Sequence, residues 1–380
     1  MKISLITVSG LFGIFTHRIP LHVEEGITII YGPNGYGKSY TLSLIHALFN
    51  PDTEHRLFFS IPFDSLMVEF TGGESLNVVK REDGGTATLE FSYSDAGSGT
   101  QEFTVGKSNE RYVPVPSWFS ELKRTVDVTL INTERLLHHE RARDYRPTID
   151  IYAGELRDRI MNTLAEYGRL SQSLDRSFPL RLLKMPERET PSLETLREEL
   201  AALERKRQSL VHAGLLADDD IEWDALEAAD DKSRHVLAVY IGDTRRKLAV
   251  FDDLSMRLDL MLRVVGERFM QKRMTFDRNE GFAIFTRDGR KLAPSQLSSG
   301  EQHMVVLLYE LLFNTRPDSL LLIDEPELSL HVFWQQRFLA DLAEARVLSG
   351  FDMLIATHSP QIIHDRWDLT VELTGPVNGQ

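Results

Sequence analysis

With 380 residues the chain is long enough for two or three domains and a sizeable core. Its 43 basic and 57 acidic residues leave a formal net charge of −14. That excludes a protein that coats nucleic acid through overall positive charge and leaves only local basic patches for such a role. The lack of any cysteine excludes disulfides, thiolate zinc sites, iron–sulfur clusters and cysteine nucleophiles. With no run near the roughly 18 apolar residues of a membrane span and no signal-peptide pattern in Met1–Gly10, a cytoplasmic protein without a membrane partner is expected.

In chain order, Ile3, Leu5 and Val8 mark a first strand, and Gly26–Ile30 is a short β-branched run that suits a strand buried on both faces. From Lys38 to Phe49 the apolar positions Leu42, Ile45, Leu48 and Phe49 recur at helical spacing, with Pro51 close behind. Leu66–Phe70, Leu76–Lys80, Leu89–Tyr93 and Glu102–Val105 read as an antiparallel meander, with turn signals at Gly72-Gly73 and Asp83-Gly84-Gly85. Ala96–Thr100 reads as a loop and Val126–Ile131 as another strand.

From about Asp150 to Gln271 the chain turns helical and charged. Leu193, Leu196, Leu200, Leu203 and Leu210 form one stripe, and a second stretch runs from Lys232 to Met270, together suggesting a helical hairpin or bundle. Asp218–Asp231, with eight acids and no base, reads as a solvated loop. Arg273–Phe276 and Phe282–Thr286 then suggest a hairpin. Glu301–Asn314 and His331–Gly350 read as helices, and Ser319–Ile323 and Met353–Ala356 as buried strands. The expected fold is α/β: residues 1–149 and 272–380 form two halves of one domain with a parallel or mixed sheet and an antiparallel β subdomain, interrupted by a helical insertion at 150–271.

Four motifs carry the chemistry. Gly32-Pro33-Asn34-Gly35-Tyr36-Gly37-Lys38-Ser39 matches G-x-x-x-x-G-K-[ST], with a strand before it and a helix after. Glycines let successive amides turn toward phosphate oxygens, the helix N-terminus adds positive potential, Lys38 neutralises the β- and γ-phosphates, and the Ser39 hydroxyl ligates Mg²⁺. Leu320–Glu327 places Asp324 and Glu325 at the C-terminal end of an apolar strand, where ligands bind in open α/β sheets. Asp324 suits a metal-bound water and Glu325 the activation of an attacking water. Leu297-Ser298-Ser299-Gly300-Glu301-Gln302 opens a helix and makes a second anion site, although Ser299 also suits an ordinary N-cap. Ala356-Thr357-His358-Ser359-Pro360 places a histidine at the end of the last buried strand, within reach of a γ-phosphate.

In this order the four motifs resemble the ATP-binding-cassette ATPases, and within them the branch that includes Rad50, SMC and RecF proteins, where the insertion is a coiled coil. LSSGEQ, the string Asp324–His331 and ATHSP are similar to ATPase subunits of bacterial anti-phage systems of the Septu, retron-associated and PARIS types. The resemblance implies ATP and Mg²⁺ as cofactors and a Walker A loop at Gly32–Ser39, followed by Tyr40. It implies a Walker B pair at Asp324 and Glu325, a signature motif at Leu297–Gln302 that touches nucleotide on a second subunit, and a switch histidine at His358. His331 falls in the D-loop, where many relatives have aspartate; Glu134 stands where a Q-loop glutamine is expected, and Arg135 beside it is a candidate phosphate contact. Phe15–Arg18 is the candidate adenine contact. The implied partners are a second copy of the chain and a separate effector such as a nuclease. A DNA-clamping repair ATPase is the alternative.

Other features weigh less. His138, His139 and Glu140 do not make a convincing metal site, since neighbours on a helix do not face one another. Arg141, Arg143 and Arg146 suit a solvated face better than a nucleic-acid contact, and Met256, Met261, Met270 and Met274 suit core or helix contacts. There is no guanine-reading Asn-Lys-x-Asp, no G-x-S-x-G and no nuclease motif, so ATP is expected rather than GTP.

Overall fold

The computed structural model describes residues 1–50, 55–83, 86–95, 97, 99–107, 114–131, 137–140, 144–184, 190–218, 233–330 and 332–375. The chain forms two compact units, Met1–Leu136 with Leu307–Gln380, and Leu137–Val306. The second unit takes in the helices expected at 150–271 and also the strands of 272–292. Among the described residues no helix is long and apolar enough to cross a membrane.

The first unit opens with β1 (Ile3–Leu11), β2 (Phe15–Pro20), β3 (Ile27–Tyr31), α1 (Lys38–Phe49), α2 (Arg56–Ser60), β4 (Ser65–Phe70), β5 (Ser75–Asp83), β6 (Thr86–Asp95), β7 (Gly99–Gly106), α3 (Ser117–Thr125) and β8 (Val128–Ile131). Strands β1, β2 and β4–β7 form the antiparallel sheet, in the order β2-β1-β4-β5-β6-β7. Strict alternation in β4, with Leu66, Val68 and Phe70 buried, turns one face inward. Residues 99 and 100, expected in a loop, extend β7 and pair with Asp95 and Ser94, so the hairpin is tighter than its small residues suggest.

The second unit contains β9 (Leu137–Glu140), β10 (Asp144–Pro147), α4 (Thr148–Lys184), α5 (Leu193–His212), α6 (Arg234–Ala249), α7 (Asp252–Gly266), β11 (Lys272–Asp277), β12 (Gly281–Thr286), β13 (Lys291–Leu292) and the start of α8 (Ser299–Tyr309). His138 and His139 thus lie on a strand, not a helix. Leu196, Leu200, Leu203 and Leu210 are buried along α5 as the stripe predicts. Lys247–Asp175 at 2.9 Å and Arg245–Glu199 at 2.7 Å tie α6 to α4 and α5, with Arg181 and Asp243 paired nearby. Gly281 has φ +77°, and a Cβ there would lie 1.9 Å from the Ala153 carbonyl oxygen of α4; only glycine lets β12 pack this closely. Of the methionines expected in core or helix contacts, Met261 and Met274 are buried, whereas Met256 and Met270 are exposed and do not belong to the core.

The chain then returns to the first unit with β14 (Leu320–Asp324), α9 (Val332–Gln335), α10 (Phe338–Ser349), β15 (Asp352–Thr357), α11 (Pro360–Ile363) and β16 (Thr370–Glu372). The helix expected to run to Asn314 changes character at Glu310: the Thr315 amide donates to the Glu310 carbonyl five residues back, giving a π-helical turn. The helix expected over 331–350 is broken near Arg337 into α9 and α10. Strands β14, β15, β3, β16 and β8 form a parallel sheet in the order β16-β3-β15-β14-β8. One core joins both sheets through Val8 and Leu11 of β1, Leu44 and Leu48 of α1, Leu322 of β14 and Leu354 of β15. Each such side chain contributes about 1.5–3 kcal/mol by leaving water. The fold is therefore α/β, a parallel sheet plus an antiparallel β subdomain, interrupted by a largely helical insertion.

Candidate nucleotide site

Parallel pairing brings the C-terminal ends of β3, β15 and β14 side by side, with Tyr31 opposite Thr357 and Ala356 opposite Asp324. Three of the four motifs leave the sheet at this edge. After β3 the loop Gly32–Gly37 turns into α1, with Gly35 at φ +86° and Gly37 at φ +79°. A Cβ on Gly37 would lie 2.4 Å from Leu11 Cδ2, whereas Gly35 faces open space. The first glycine is needed for packing and the second for the turn. Pro33, Asn34 and Gly35 form the exposed crest, Tyr36 is half-buried and Tyr40 is exposed.

Lys38 is buried and donates from Nζ to the carbonyls of Gly32 at 2.7 Å and Pro33 at 3.0 Å. Burial pushes its pKa down, while Glu325, Glu327 and Asp324 pull the other way. Ser39 Oγ donates to Asp324 Oδ1 at 3.0 Å, across 285 residues of sequence. The Asp324 carboxyl is pushed up, first by burial and then by Glu325 and Glu327, against the opposing Ser39 hydrogen bond and Lys38 charge. Three carboxylates against one lysine leave this edge electrically short of a cation. Among the described residues no cluster of three or more His, Cys, Asp or Glu forms a metal cage. A hydroxyl and a carboxylate already in contact are hard oxygen donors that fit Mg²⁺, which needs few protein ligands when phosphate oxygens supply the rest.

Glu325 follows β14 with φ 43° and ψ 57°, a left-handed conformation that is strained for a glutamate. Its amide donates to the Ala356 carbonyl at 2.9 Å, and its Oε1 lies 3.9 Å from His358 Nδ1. Glu327, to which the motif reading assigned no role, is closer: its Oε1 lies 3.0 Å from the same nitrogen. Thr357 and Gln335 also went unassigned. All three are polar groups buried at or beside the motifs; Thr357 sits within the ATHSP motif and Glu327 is the third acid of Asp-Glu-Pro-Glu, while Gln335 has no sequence signal.

The signature residues belong to the second unit. Ser298, not Ser299, caps α8. Its amide and hydroxyl both donate to Glu301 Oε2 at 2.8 Å, and Lys272 Nζ donates to the same oxygen at 2.6 Å. Gln302 Nε2 donates to the Leu297 carbonyl at 2.8 Å. Ser299 and Gly300 form the first turn. Of the adenine candidates, Phe15 and His17 are buried, with His17 Nε2 2.7 Å from the Tyr36 carbonyl; only Thr16 and Arg18 face outward. Glu134, Arg135, Arg141, Arg143, His331 and all but the first residue of the acidic run 218–231 lie outside the described residues.

Residues 27–364, from β3 to beyond His358, match a family described as "AAA domain, putative AbiEii toxin, Type IV TA system". No curated protein matches the chain. Among solved structures, the SMC head domain from Thermotoga maritima is 13% identical, covers 98% of this chain and 95% of its own, and superposes with a TM-score of 0.41. The Smc head domain with an extended coiled coil bound to the C-terminal domain of ScpA, from Pyrococcus furiosus, is 16% identical, with coverage of 95% and 91% and a TM-score of 0.37. The family match covers most of the sequence and contains all four motifs: the chain belongs to this AAA-domain family and is an ATPase.

Proposed function

We propose that the chain is an Mg-ATP-driven conformational switch of the Rad50/SMC-like branch. Two copies close on nucleotide and thereby control a partner effector, a nuclease, in bacterial anti-phage defence. The observation that carries the ATPase chemistry is the Ser39–Asp324 hydrogen bond, which joins the Walker A loop to the strand bearing Glu325, beside His358. The acidic net charge favours a protein effector over a DNA clamp, and the family description, with its AbiEii toxin, agrees with a defence role.

In this reading the loop amides of Gly32–Ser39 and the Lys38 ammonium hold the β- and γ-phosphates. Ser39 and Asp324 would hold Mg²⁺, which neutralises phosphate charge. Glu325 accepts a proton from the attacking water as its oxygen bonds to the γ-phosphorus and the bond to the bridging oxygen breaks. His358 donates to the γ-phosphate. Ser298, Ser299 and Gly300 of the second copy cover the same phosphate, so hydrolysis removes the group that bridges the two copies. The helices of 150–271 carry that change to the effector.

Lys38→Ala is expected to abolish ATP binding in a titration with labelled nucleotide; unchanged affinity would overturn the site. Glu325→Gln is expected to bind ATP normally, to turn over at least about a hundredfold more slowly, and to accumulate as an ATP-linked dimer in light scattering. Undiminished hydrolysis would remove Glu325 from the chemistry, and a monomer with ATP bound would remove the dimer.

A further inference from the structure

Strand β2 turns Phe15, His17 and Ile19 inward, and the middle one is a histidine with only 1% of its surface exposed. Burying an imidazole costs free energy unless its nitrogens are bonded. His17 Nδ1 is buried without a hydrogen-bond partner, so an aliphatic side chain like that of Ile19 would suit the core alone better. The ring does make one polar contact: Nε2 lies 2.7 Å from the carbonyl oxygen of Tyr36, inside the loop Gly32–Ser39. A carbonyl oxygen carries no hydrogen, so Nε2 is the donor and holds the ring proton. Burial pushes the His17 pKa down, against the opposing pull of the Tyr36 bond, and the ring is neutral with Nδ1 as a bare acceptor. Phe15 packs against both partners, its ring centroid 5.6 Å from that of His17 and 5.4 Å from that of Tyr36.

This bond decides which way one peptide unit of the loop faces. The Tyr36–Gly37 peptide is trans and planar, so its C=O and N–H point in opposite directions. With the carbonyl held toward β2, the Gly37 amide is turned away from β2, and among the described residues it donates no backbone hydrogen bond. Other loop carbonyls have other holders. The Gly37 carbonyl accepts from the Thr41 amide at 2.9 Å and the Thr41 hydroxyl at 3.0 Å. Those of Gly32 and Pro33 accept from Lys38 Nζ. In the proposed reaction that ammonium turns to phosphate and gives up both bonds, whereas His17 keeps its own. With glycine on either side of Tyr36 the loop backbone has little stiffness of its own, so a donor fixed in a strand sets its orientation.

We infer that His17 is a positioning residue for nucleotide: by donating to the Tyr36 carbonyl it fixes the Tyr36–Gly37 peptide with its amide presented to a phosphate oxygen. This rests on the proposed binding of the triphosphate by Gly32–Ser39. The test uses the full chain with three variants. His17→Leu removes the donor at similar volume, His17→Gln puts a side-chain amide nitrogen in place of Nε2, and Lys38→Ala checks the loop itself. ATP affinity, KM, kcat and thermal unfolding without nucleotide are read for each. His17→Leu is expected to unfold within about 4 °C of wild type, to bind ATP about tenfold more weakly and to raise KM with kcat within about twofold. His17→Gln is expected to recover affinity to within about threefold of wild type. Wild-type affinity in His17→Leu would overturn the inference, whether or not its unfolding temperature falls, as would His17→Gln binding no better than His17→Leu. Full ATP binding by Lys38→Ala would instead bring down the loop as the phosphate site, and this inference with it. Independently of any variant, ¹⁵N NMR of the wild-type His17 ring at neutral pH should show a neutral imidazole protonated at Nε2; a proton on Nδ1 would overturn the inference.

Discussion

Lys123 shows how one side chain sets a pH dependence away from the nucleotide. Its ammonium lies over the Phe119 ring, 5.0 Å from the centroid, and donates to the Asn50 carbonyl at 3.1 Å. Burial pushes its pKa down from 10.5 to about 8. The folded state therefore binds the proton less tightly than the unfolded chain, and stability rises with pH between these two values. Lys123→Met is expected to be more stable than wild type at neutral pH, with an advantage that is largest below about pH 8 and fades as pH rises through the ordinary lysine range. Urea unfolding at several pH values checks this, and a gap independent of pH would refute it. Single residues differ in how far the sequence reveals them. Gly32–Ser39 are legible because the whole cradle is built by consecutive amides, so spacing alone carries the geometry. Glu327 is not, because its partners Thr357 and His358 are 30 and 31 residues away and meet it only when β14 and β15 pair. The buried Phe15 and His17 were misleading for the same reason: alternation along β2 settles which side chains face outward, and the face is chosen by its neighbours in the sheet.

Among the elements, α8 repays close reading because its first turn carries two duties. Ser298 and Glu301 form a reciprocal capping box at a helix end, and Lys272 from β11 completes it. Burial pushes the Glu301 pKa up, but the Lys272 bond and the two Ser298 bonds together outweigh that and leave it lowered. A lowered carboxylate pKa contributes stability that is present above the ordinary glutamate range and is lost as pH falls through the folded-state value. Glu301→Ala is thus expected to lose about 0.5–2 kcal/mol at neutral pH, and the gap from wild type should close in acid; a gap that persists there would point to packing instead. The serine N-cap was legible from small hydroxyl residues before an apolar run, but its register was not, since Ser298 and Ser299 are both good caps and only the Glu301 contact selects the first. Elements set by a strong local pattern, such as α1 over Lys38–Phe49, come out at their expected bounds. The breaks at Glu310 and Arg337 leave no local signature, since no proline or glycine marks them.

At the scale of the whole molecule the chain order is itself a constraint. The Walker A loop precedes the insertion and the Walker B strand follows it, yet β3, β15 and β14 are neighbours in one sheet. This nesting was legible because a P-loop at one end and an acidic strand end at the other have no use apart. The signature residues 297–302 belong to the inserted unit, so the composite site of the proposed dimer draws on both units, one from each copy. That makes a prediction for mixtures. Lys38→Ala leaves the signature motif intact, and Ser298→Arg leaves the Walker A loop intact. Each alone should be inactive, since every site in a symmetric dimer lacks one half. Mixed in equal amounts and allowed to exchange, half of the dimers pair one of each and carry a single complete site, so about a quarter of wild-type hydrolysis should return. Circular dichroism confirms that both variants are folded before mixing. If the signature served its own chain, every copy in the mixture would still carry one lethal change and no activity would return, which would rule out the shared site while leaving the Ser39–Asp324 chemistry untouched.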